Sequence, residues 1–594
     1  MTTILGLTLV FLAVFGGGIR VWSLCLAAFV FSAGLIAAAP GSAGEPASAV
    51  VPPFGRRLRA LWRESSGPEK IYGVMLALIL FSLIPLPVAG TVVHGRVRHE
   101  QNRAAAELLD AGADQGLAPA VRPRFALTRN RAGTWRMLLL IMAATGALAM
   151  AARIPARRKP RLIRCLTLLG AGVGLTALLS LFVWPQGDTL LWFFPVAETP
   201  KSPLSCFENR NHLAGFLALL CPAALALGMR DATRRRWGWA ALSAASFLTM
   251  SGAVVASLSR GGIAVWLIGL ATAGAVLLWR GRLRVAAACA AVLLLALTVA
   301  VTLPVPALRA RLKTVESLET ESSYRIRTGL WRDALAVWTT YPLTGTGLNA
   351  FRSVYPQSRL DSHSAHVAHA ENEYLQLVAE TGLVGVALSV LLLATLLRLA
   401  GPRVKDVGSD DWIIVATAGA VMVAAAHAGL DFALRTPLYA LTLATLIGLA
   451  LSETAPTLLS INPGRPLLSR HARKIGLIHL VAAGAALWQM RAIERLDNPV
   501  HLQDSSKDDM VRATLWAPTS WHAWYYLGRR ACMINTRAAV EWGERCLTRA
   551  AQCDPENYRL WYQLGRLRMK LDEPDGARAA FESVKALRPW MRTP

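Results

Sequence analysis

The chain has 594 residues, 63 Lys and Arg against 37 Asp and Glu, and a formal net charge of +26. Hydrophobic residues make up 54% and charged residues only 17%. Soluble domains carry about 25% charged residues, so this composition argues against an ordinary soluble enzyme. Disorder needs low hydrophobicity and is excluded with it. The basic excess would suit a nucleic-acid partner, but here Arg and Lys crowd the short loops between apolar runs, where they set membrane topology. No nucleic-acid partner is expected.

A membrane helix needs about 20 mostly apolar residues. Thirteen such runs follow in order: 2–18, 21–39, 72–90, 136–152, 162–184, 212–229, 238–257, 261–279, 285–303, 375–397, 412–431, 435–452 and 475–492. The first lacks a basic n-region and a second run follows at once, so it does not read as a signal peptide. The runs 238–257 and 261–279 meet at Ser259-Arg260-Gly261, a tight re-entry at one membrane face.

With the N-terminus in the cytoplasm, the inside loops hold Arg153, Arg157, Arg158, Lys159 and Arg161, then Arg234, Arg235 and Arg236, then Arg280, Arg282 and Arg284, then Arg403 and Lys405, then Arg465, Arg470, Arg473 and Lys474. This is the positive-inside pattern. The segment 91–135 disagrees: it falls outside yet carries Arg96, Arg98, Arg103, Arg122, Arg124, Arg129 and Arg131. The short loops together outvote it. The loop 304–374 and the tail 493–594 are then extracytoplasmic, as are Asn209-Arg210-Asn211-His212, Ser259-Arg260, and His427 with Asp431 and Arg435. Ionisable groups in or beside membrane segments are costly and default to functional hypotheses.

In the loop 304–374, the stretch 323–340 places Ile326, Leu330, Ala334, Val337 and Trp338 at helical spacing, which predicts a helix lying on the membrane surface. Arg325 and Arg332 share a face of it and Arg327 points elsewhere. Pro342-Leu343-Thr344-Gly345-Thr346-Gly347 is turn-rich; its Gly-x-Gly lacks the preceding strand of a dinucleotide site. His363, His366 and His369 then recur every three residues before Glu371-Asn372-Glu373-Tyr374. Three readings stand open for them: a metal set, which one helix could not aim at a single ion; a solvated polar loop; and a base beside carboxylates, suited to taking a proton from a hydroxyl. Arg clusters on the same face suit a phosphate leaving group.

The tail is soluble in character. Trp524-x-x-Leu527-Gly528 recurs as Trp561-x-x-Leu564-Gly565, and Pro518, Pro555 and Pro589 close the units. The pattern is that of tetratricopeptide repeats, with 556–589 the better match and 519–555 carrying three extra residues. Two repeats are few, so a helix within 499–517 is expected to cap them. The aromatic set Trp521, Trp524, Tyr525 and Tyr526 reads as repeat core, and the repeats could dock a protein partner. Cys25, Cys165, Cys221 and Cys289 sit in apolar runs; two of Cys532, Cys546 and Cys553 could pair in an oxidising compartment.

Phe207-Glu208-Asn209-Arg210-Asn211-His212-Leu213-Ala214-Gly215 resembles a motif of the O-antigen ligase and O-antigen polymerase superfamily. So do Ser259-Arg260-Gly261-Gly262, Arg327-x-x-x-Trp331, Pro342-Leu343-x-Gly345-x-Gly347-x-x-x-Phe351, Glu371-Asn372-Glu373-Tyr374-Leu375-Gln376 with Glu380-x-Gly382-x-x-Gly385, and His427-x-x-x-Asp431-Phe432-x-x-Arg435-x-Pro437. The resemblance covers about 200–455. With the apolar runs, the loop charges and the repeat tail, the expected fold is an all-α polytopic membrane bundle of about 12–13 transmembrane helices, with a long extracytoplasmic loop and a small C-terminal helical-repeat domain.

The expected organisation is N-terminal transmembrane helices in 1–200, a ligase-like core in 201–455, a last transmembrane helix and linker in 456–498, and repeats in 499–594. The resemblance further implies a glycosyltransferase of the inner membrane that uses a polyprenyl-pyrophosphate-linked glycan and needs no cofactor or metal. The acceptor would be a hydroxyl on lipid A core, a polysaccharide or a protein. Arg210, Arg260 and Arg327 would hold the donor pyrophosphate. His369 and Glu371 are the candidate bases. Asn209, His212, Asn372, His427, Asp431 and Arg435 would support them. The family places His directly before the loop Asn; here Glu371 stands there and His369 is two residues away. A lipid-linked-glycan flippase or a membrane-anchored scaffold are the competing classes.

Overall fold

The computed structural model describes residues 2–14, 21–37, 67–183, 189–190, 194–195, 205–207, 209–282, 322–359, 367–404, 411–454, 467–489, 493 and 502–591. The fold is all-α. In chain order the helices are α1 (Thr2–Val14), α2 (Val21–Ala37), α3 (Gly67–Ser82), α4 (Arg96–Asp114), α5 (Arg131–Ala151), α6 (Lys159–Val183), α7 (Arg210–Thr233), α8 (Trp237–Ala256), α9 (Arg260–Trp279) and α10 (Ser322–Thr340). They continue as α11 (Phe351–Ser358), α12 (Glu373–Val404), α13 (Asp411–Ala428), α14 (Pro437–Thr454), α15 (Leu467–Trp488), α16 (Lys507–Trp516), α17 (Trp521–Cys532), α18 (Arg537–Cys553), α19 (Tyr558–Lys570) and α20 (Pro574–Leu587).

Twelve of the thirteen apolar runs overlap a helix, and the run 285–303 lies outside the described residues. Among the described residues, six helical stretches are long and apolar enough to cross a membrane: Arg131–Ala151, Ala156–Ser180, Arg210–Thr233, Trp237–Ala256, Arg260–Trp279 and Glu373–Arg398. Shorter apolar helices occupy Thr2–Ala13, Lys70–Ser82, Trp412–Ala428, Pro437–Ser452 and Gly476–Trp488. The run read as 72–90 is a correction. Helix α3 stops at Ser82, and Leu86–Pro87 pairs instead with Arg124–Phe125 as a short antiparallel ladder. Pro85 and Pro87 withhold backbone donors and end the helix there.

The chain divides into two compact units, each assembled from separate stretches. The first comprises 1–72, 139–321 and 391–487. Its centre is α7, whose apolar span is 83% buried, against 39% for those of α8 and α9. A helix apolar all round is a core helix. Glycines let its neighbours approach: a Cβ at Gly262 would stand 2.3 Å from that of Ala214, and one at Gly419 would stand 2.5 Å from the Pro222 ring. At one end of this unit the buried Asp231 carboxylate lies 2.5 Å from Arg164 and 3.2 Å from Arg230, and both guanidinium groups stack on indoles, Trp239 and Trp412.

The second unit comprises 73–138, 322–390 and 488–594. Helices α16 to α19 pack on one another around Met510, Val511, Trp524, Leu527, Ala531, Trp542, Cys546 and Leu560. This core also includes Ala105, Ala106 and Leu109 of α4. Trp542 donates its indole N–H to the carbonyl of Leu108 at 2.9 Å and lies where a Cβ of Gly112 would be. Trp524 is fully buried, in line with its reading as core. Within 499–517 a helix forms, α16, and buries Met510 and Val511 in this core. The expected disulfide does not form: Cys532, Cys546 and Cys553 are free thiols, the last two buried in the helical core.

The discordant basic segment 91–135 is explained here. Arg129 is buried and donates to Asn102 (2.7 Å) and Gln101 (2.8 Å); Tyr341 donates to the same Gln101 oxygen at 3.1 Å. Arg98 is buried and donates to the carbonyls of His94 and Gly345. Arg131 stacks on Trp516. Arg96 and Arg103 pair with Glu100 and Glu107 along α4. Five of the seven arginines therefore have structural partners.

Candidate functional site

Each unit gathers one set of the polar residues singled out from the sequence. In the first unit the set forms where the N-termini of α7 and α9 meet the turn after α13. Asn209 caps α7, its Oδ1 accepting from the N–H of Asn211 at 2.8 Å. Ser259 caps α9, accepting from the N–H of Gly262 at 3.0 Å. Its hydroxyl donates to Asn211 Oδ1 at 2.8 Å and so ties the two helix starts together. Asn and Ser favour caps because their short side chains satisfy orphan N–H groups.

Arg210 and Arg260 each occupy the first position of a helix whose first turn holds no acidic residue. A cation there opposes the helix dipole by roughly 0.3–1 kcal/mol. An anion at this end would meet the dipoles and the guanidinium groups together.

His212 Nε2 lies 3.0 Å from Asp431 Oδ1, and Phe432 stands edge-on to the His212 ring at 4.6 Å. Asp431 Oδ1 also accepts the N–H of Phe432 at 2.7 Å. Burial alone would raise the Asp431 carboxyl, but the His212 hydrogen bond and the nearby His212 and His427 rings outweigh it and hold the group well below the usual carboxylate range. A spacing of four would set His427 and Asp431 on one face of a continued helix, but α13 ends at Ala428 and Asp431 turns instead to His212. His427 is buried among α7 and α14: a Cβ at Gly215 would lie 2.2 Å from its ring, and Tyr439 is 6.0 Å away. Arg435 is half-buried in the short helical turn 433–435 before α14.

In the second unit, α10 forms as the periodicity requires, but its apolar stripe does not face a membrane. Leu330, Ala334 and Val337 are buried against Phe351, Val354, Tyr355, Ala370 and Ala379. The stripe is consumed inside the unit, which corrects the surface-helix expectation. Arg325 and Arg332 are exposed, whereas Arg327 turns inward, its Nη2 3.5 Å from Glu371 Oε2.

The segment 342–347 docks on α12. Thr346 and Gly347 donate backbone N–H groups to the carbonyls of Ala379 and Glu380, and Leu383 and Val384 donate to those of Pro342 and Leu343. Gly345 and Gly382 both have φ of +61°, and a Cβ on either would strike the other segment's backbone, at 2.2 and 2.4 Å. Only glycine tolerates both conditions. The Gly-x-Gly is therefore a backbone joint and not a phosphate cradle.

Asn372 caps α12, its Oδ1 accepting from Tyr374 and Leu375 at 3.0 and 3.1 Å. Just before it, Glu371 holds φ of +53°, a left-handed conformation that costs a side-chain-bearing residue about 1–3 kcal/mol. His369 Nδ1 lies 3.1 Å from Gln376 Nε2. His363 and His366 lie outside the described residues. The structure thus joins Arg327 to Glu371 and His369 to Gln376, while Arg210, Arg260, Asn209, His212, His427, Asp431 and Arg435 belong to the first unit. The residues that sequence reasoning missed are Gln376 and Glu380; their spacing of four on one helix, inside a motif already quoted, was the signal.

Residues 244–390 match a family model described as O-antigen ligase. The match runs from within α8 into α12 and takes in Arg260, Arg327, His369 and Glu371. No curated protein matches the chain.

Proposed function

We propose that this multi-pass membrane protein, whose residues 244–390 match the O-antigen ligase family, transfers a glycan from a polyprenyl-pyrophosphate carrier to an acceptor hydroxyl at the outer face of the inner membrane. The family match carries the proposal, and the chemistry of the two polar sets supports it. The acceptor oxygen attacks the anomeric carbon, the bond from that carbon to the pyrophosphate oxygen breaks, and the electron pair leaves with the pyrophosphate. The hydroxyl proton passes to a base.

A leaving group that gains negative charge needs fixed positive charge, and preorganised cations lower the barrier most where charge develops. Arg210 and Arg260 are assigned this task in the first unit and Arg327 in the second. His369 and Glu371 are the two candidates for the base, one of them accepting the hydroxyl proton. Asn209 and Asn372 serve as helix caps that fix their neighbours. His212, Asp431, His427 and Arg435 hold the turn beside α7. The donor carries its own activation, so the reaction requires neither a nucleotide cofactor nor a metal ion. The loop 304–374 and the C-terminal helices are assigned to the extracytoplasmic side, with those helices forming tetratricopeptide-type repeats that offer a surface to a protein partner.

The surface-glycan profile of a deletion strain tests the proposal. Loss of the polymer ladder down to bare lipid A core identifies a ligase. Retention of a single repeat unit identifies a polymerase, and normal glycans with an unglycosylated protein identify a protein O-oligosaccharyltransferase. A wild-type profile of glycolipids, polysaccharides and glycoproteins would overturn the transferase reading.

A further inference from the structure

Two buried polar side chains of the second unit have no part in the mechanism above. Gln376 and Glu380 are both fully buried, one turn apart on α12. Gln376 Oε1 accepts the N–H of Ala370 at 3.0 Å. Its Nε2 donates to Glu380 Oε1 at 2.9 Å and lies 3.1 Å from His369 Nδ1. Glu380 also accepts the backbone N–H groups of Asn349 (2.8 Å) and Phe351 (3.3 Å).

These partners fix which way the amide points. The N–H of Ala370 can only donate, and an ionised carboxylate can only accept. Flipping the Gln376 amide would set its oxygen against Glu380 and its hydrogens against the N–H of Ala370. The orientation follows from the network and needs no view of hydrogens. Both amide hydrogens are then committed, one to Glu380 and one to His369. His369 Nδ1 must accept, so it carries no proton, and the neutral ring carries its proton on Nε2.

The geometry assigns His369 to hydrogen-bond donation in a single tautomer, set by Gln376 and Glu380 as positioning residues, with Glu371 left to take the proton. This deepens the transferase reading above and rests on it. A ring whose Nδ1 lone pair is occupied and whose Nε2 bears hydrogen offers no lone pair to an acceptor hydroxyl. Protonating it would turn Nδ1 into a donor facing the amide hydrogens of Gln376. Glu371 has what a base needs: a partly exposed carboxylate beside Arg327, on a backbone held in the left-handed region. In the transfer step the Glu371 carboxylate accepts the hydroxyl proton as the new bond to the anomeric carbon forms and the electron pair departs on pyrophosphate. His369 Nε2–H donates to an oxygen gaining charge and keeps its proton.

Two measurements test this. The first needs no substrate: full-length protein carrying ¹⁵N-histidine, in nanodiscs at neutral pH, with the His369 ring signals identified by their loss in His369→Gln. The expected result is a neutral Nε2–H ring in the wild type and a mixture of tautomers in Gln376→Met. A neutral Nδ1–H ring or an imidazolium in the wild type overturns the assignment, as does an unchanged tautomer in Gln376→Met. If Gln376→Met does not accumulate, Gln376→Glu replaces it: a carboxylate that only accepts should draw the proton to Nδ1, and a ring still protonated on Nε2 alone overturns the positioning role.

The second is transfer from a polyprenyl-pyrophosphate glycan. Glutamine can donate but cannot act as a base at this pH. His369→Gln should stay within about 10-fold of wild type while His369→Ala loses about 10²–10³-fold, the cost of one lost donor to developing charge. Equal losses in the two variants would restore His369 as the base. If no variant and no wild type transfers, the transferase reading falls and the spectra alone decide the tautomer.

Discussion

At the scale of single residues, the informative positions are charges whose setting carries a cost. Arg260 is one. It follows the Ser259 cap at a helix end where a cation is electrostatically disfavoured. Arg260→Lys keeps the charge but removes the planar fork that grips phosphate oxygens in pairs. Transfer should fall at least about 10-fold with the protein still inserted, measured as initial rate per mole in membranes; a near-wild-type rate would reduce Arg260 to a helix-end anchor.

Asp554 is another, for stability. Its carboxyl is raised to about 6, chiefly by burial, although Arg359 stands 2.8 Å away and pulls it down. Because the folded value exceeds the unfolded one, the folded state binds this proton more tightly. Stability from this group is full below about pH 4 and declines as pH rises through about 6, by on the order of 3 kcal/mol. Asp554→Asn should remove that decline, read as the difference in thermal midpoint between pH 5 and pH 8. An undiminished difference would place the pH dependence elsewhere.

At the scale of elements, hydrophobic periodicity gave most helices, because a stretch of about 20 apolar residues has little alternative to a helix in hydrocarbon. It failed where apolar residues serve two ends. The stripe of Leu330, Ala334 and Val337 was legible as a helix face, but whether it meets lipid or protein depends on α11 and the 367–379 segment, which no local pattern reveals. The basic segment 91–135 is likewise not readable from loop charge alone: Arg129 donates to an amide within the segment and Arg98 to a carbonyl far along the chain. The caps Asn209, Ser259 and Asn372 were visible as motif residues, whereas the His369–Gln376–Glu380 chain needed coordinates to fix its direction.

The joint between 342–347 and α12 is the element most exposed to a single change. Gly345→Ala adds the left-handed penalty to a Cβ placed 2.2 Å from the Glu380 backbone. A loss of about 3 kcal/mol or more is expected, together with disturbance of the Glu380 contacts to Asn349 and Phe351. The check is the thermal midpoint of the purified protein; a shift within about 1 °C would mean that the joint yields without cost.

At the scale of the whole molecule, the account depends on which side of the membrane each polar set occupies. The charge pattern assigns Arg234, Arg235 and Arg236, just after α7, to the cytoplasm and the C-terminal helices to the opposite side. A periplasmic-type reporter fused after Pro594 should be active and one fused within 231–236 inactive, and the reverse pattern would displace every proposed donor contact.

The central claim is glycosyl transfer, and the purified protein in liposomes tests it most directly. Donor labelled in its polyprenyl-pyrophosphate glycan is supplied with candidate lipid, polysaccharide and peptide acceptors, and the label is followed. The account predicts label covalently joined to an acceptor, with free polyprenyl pyrophosphate released in equal amount and no requirement for added nucleotide. Donor that changes membrane side with its glycan still attached, and no acceptor carrying label, would contradict it and identify a flippase.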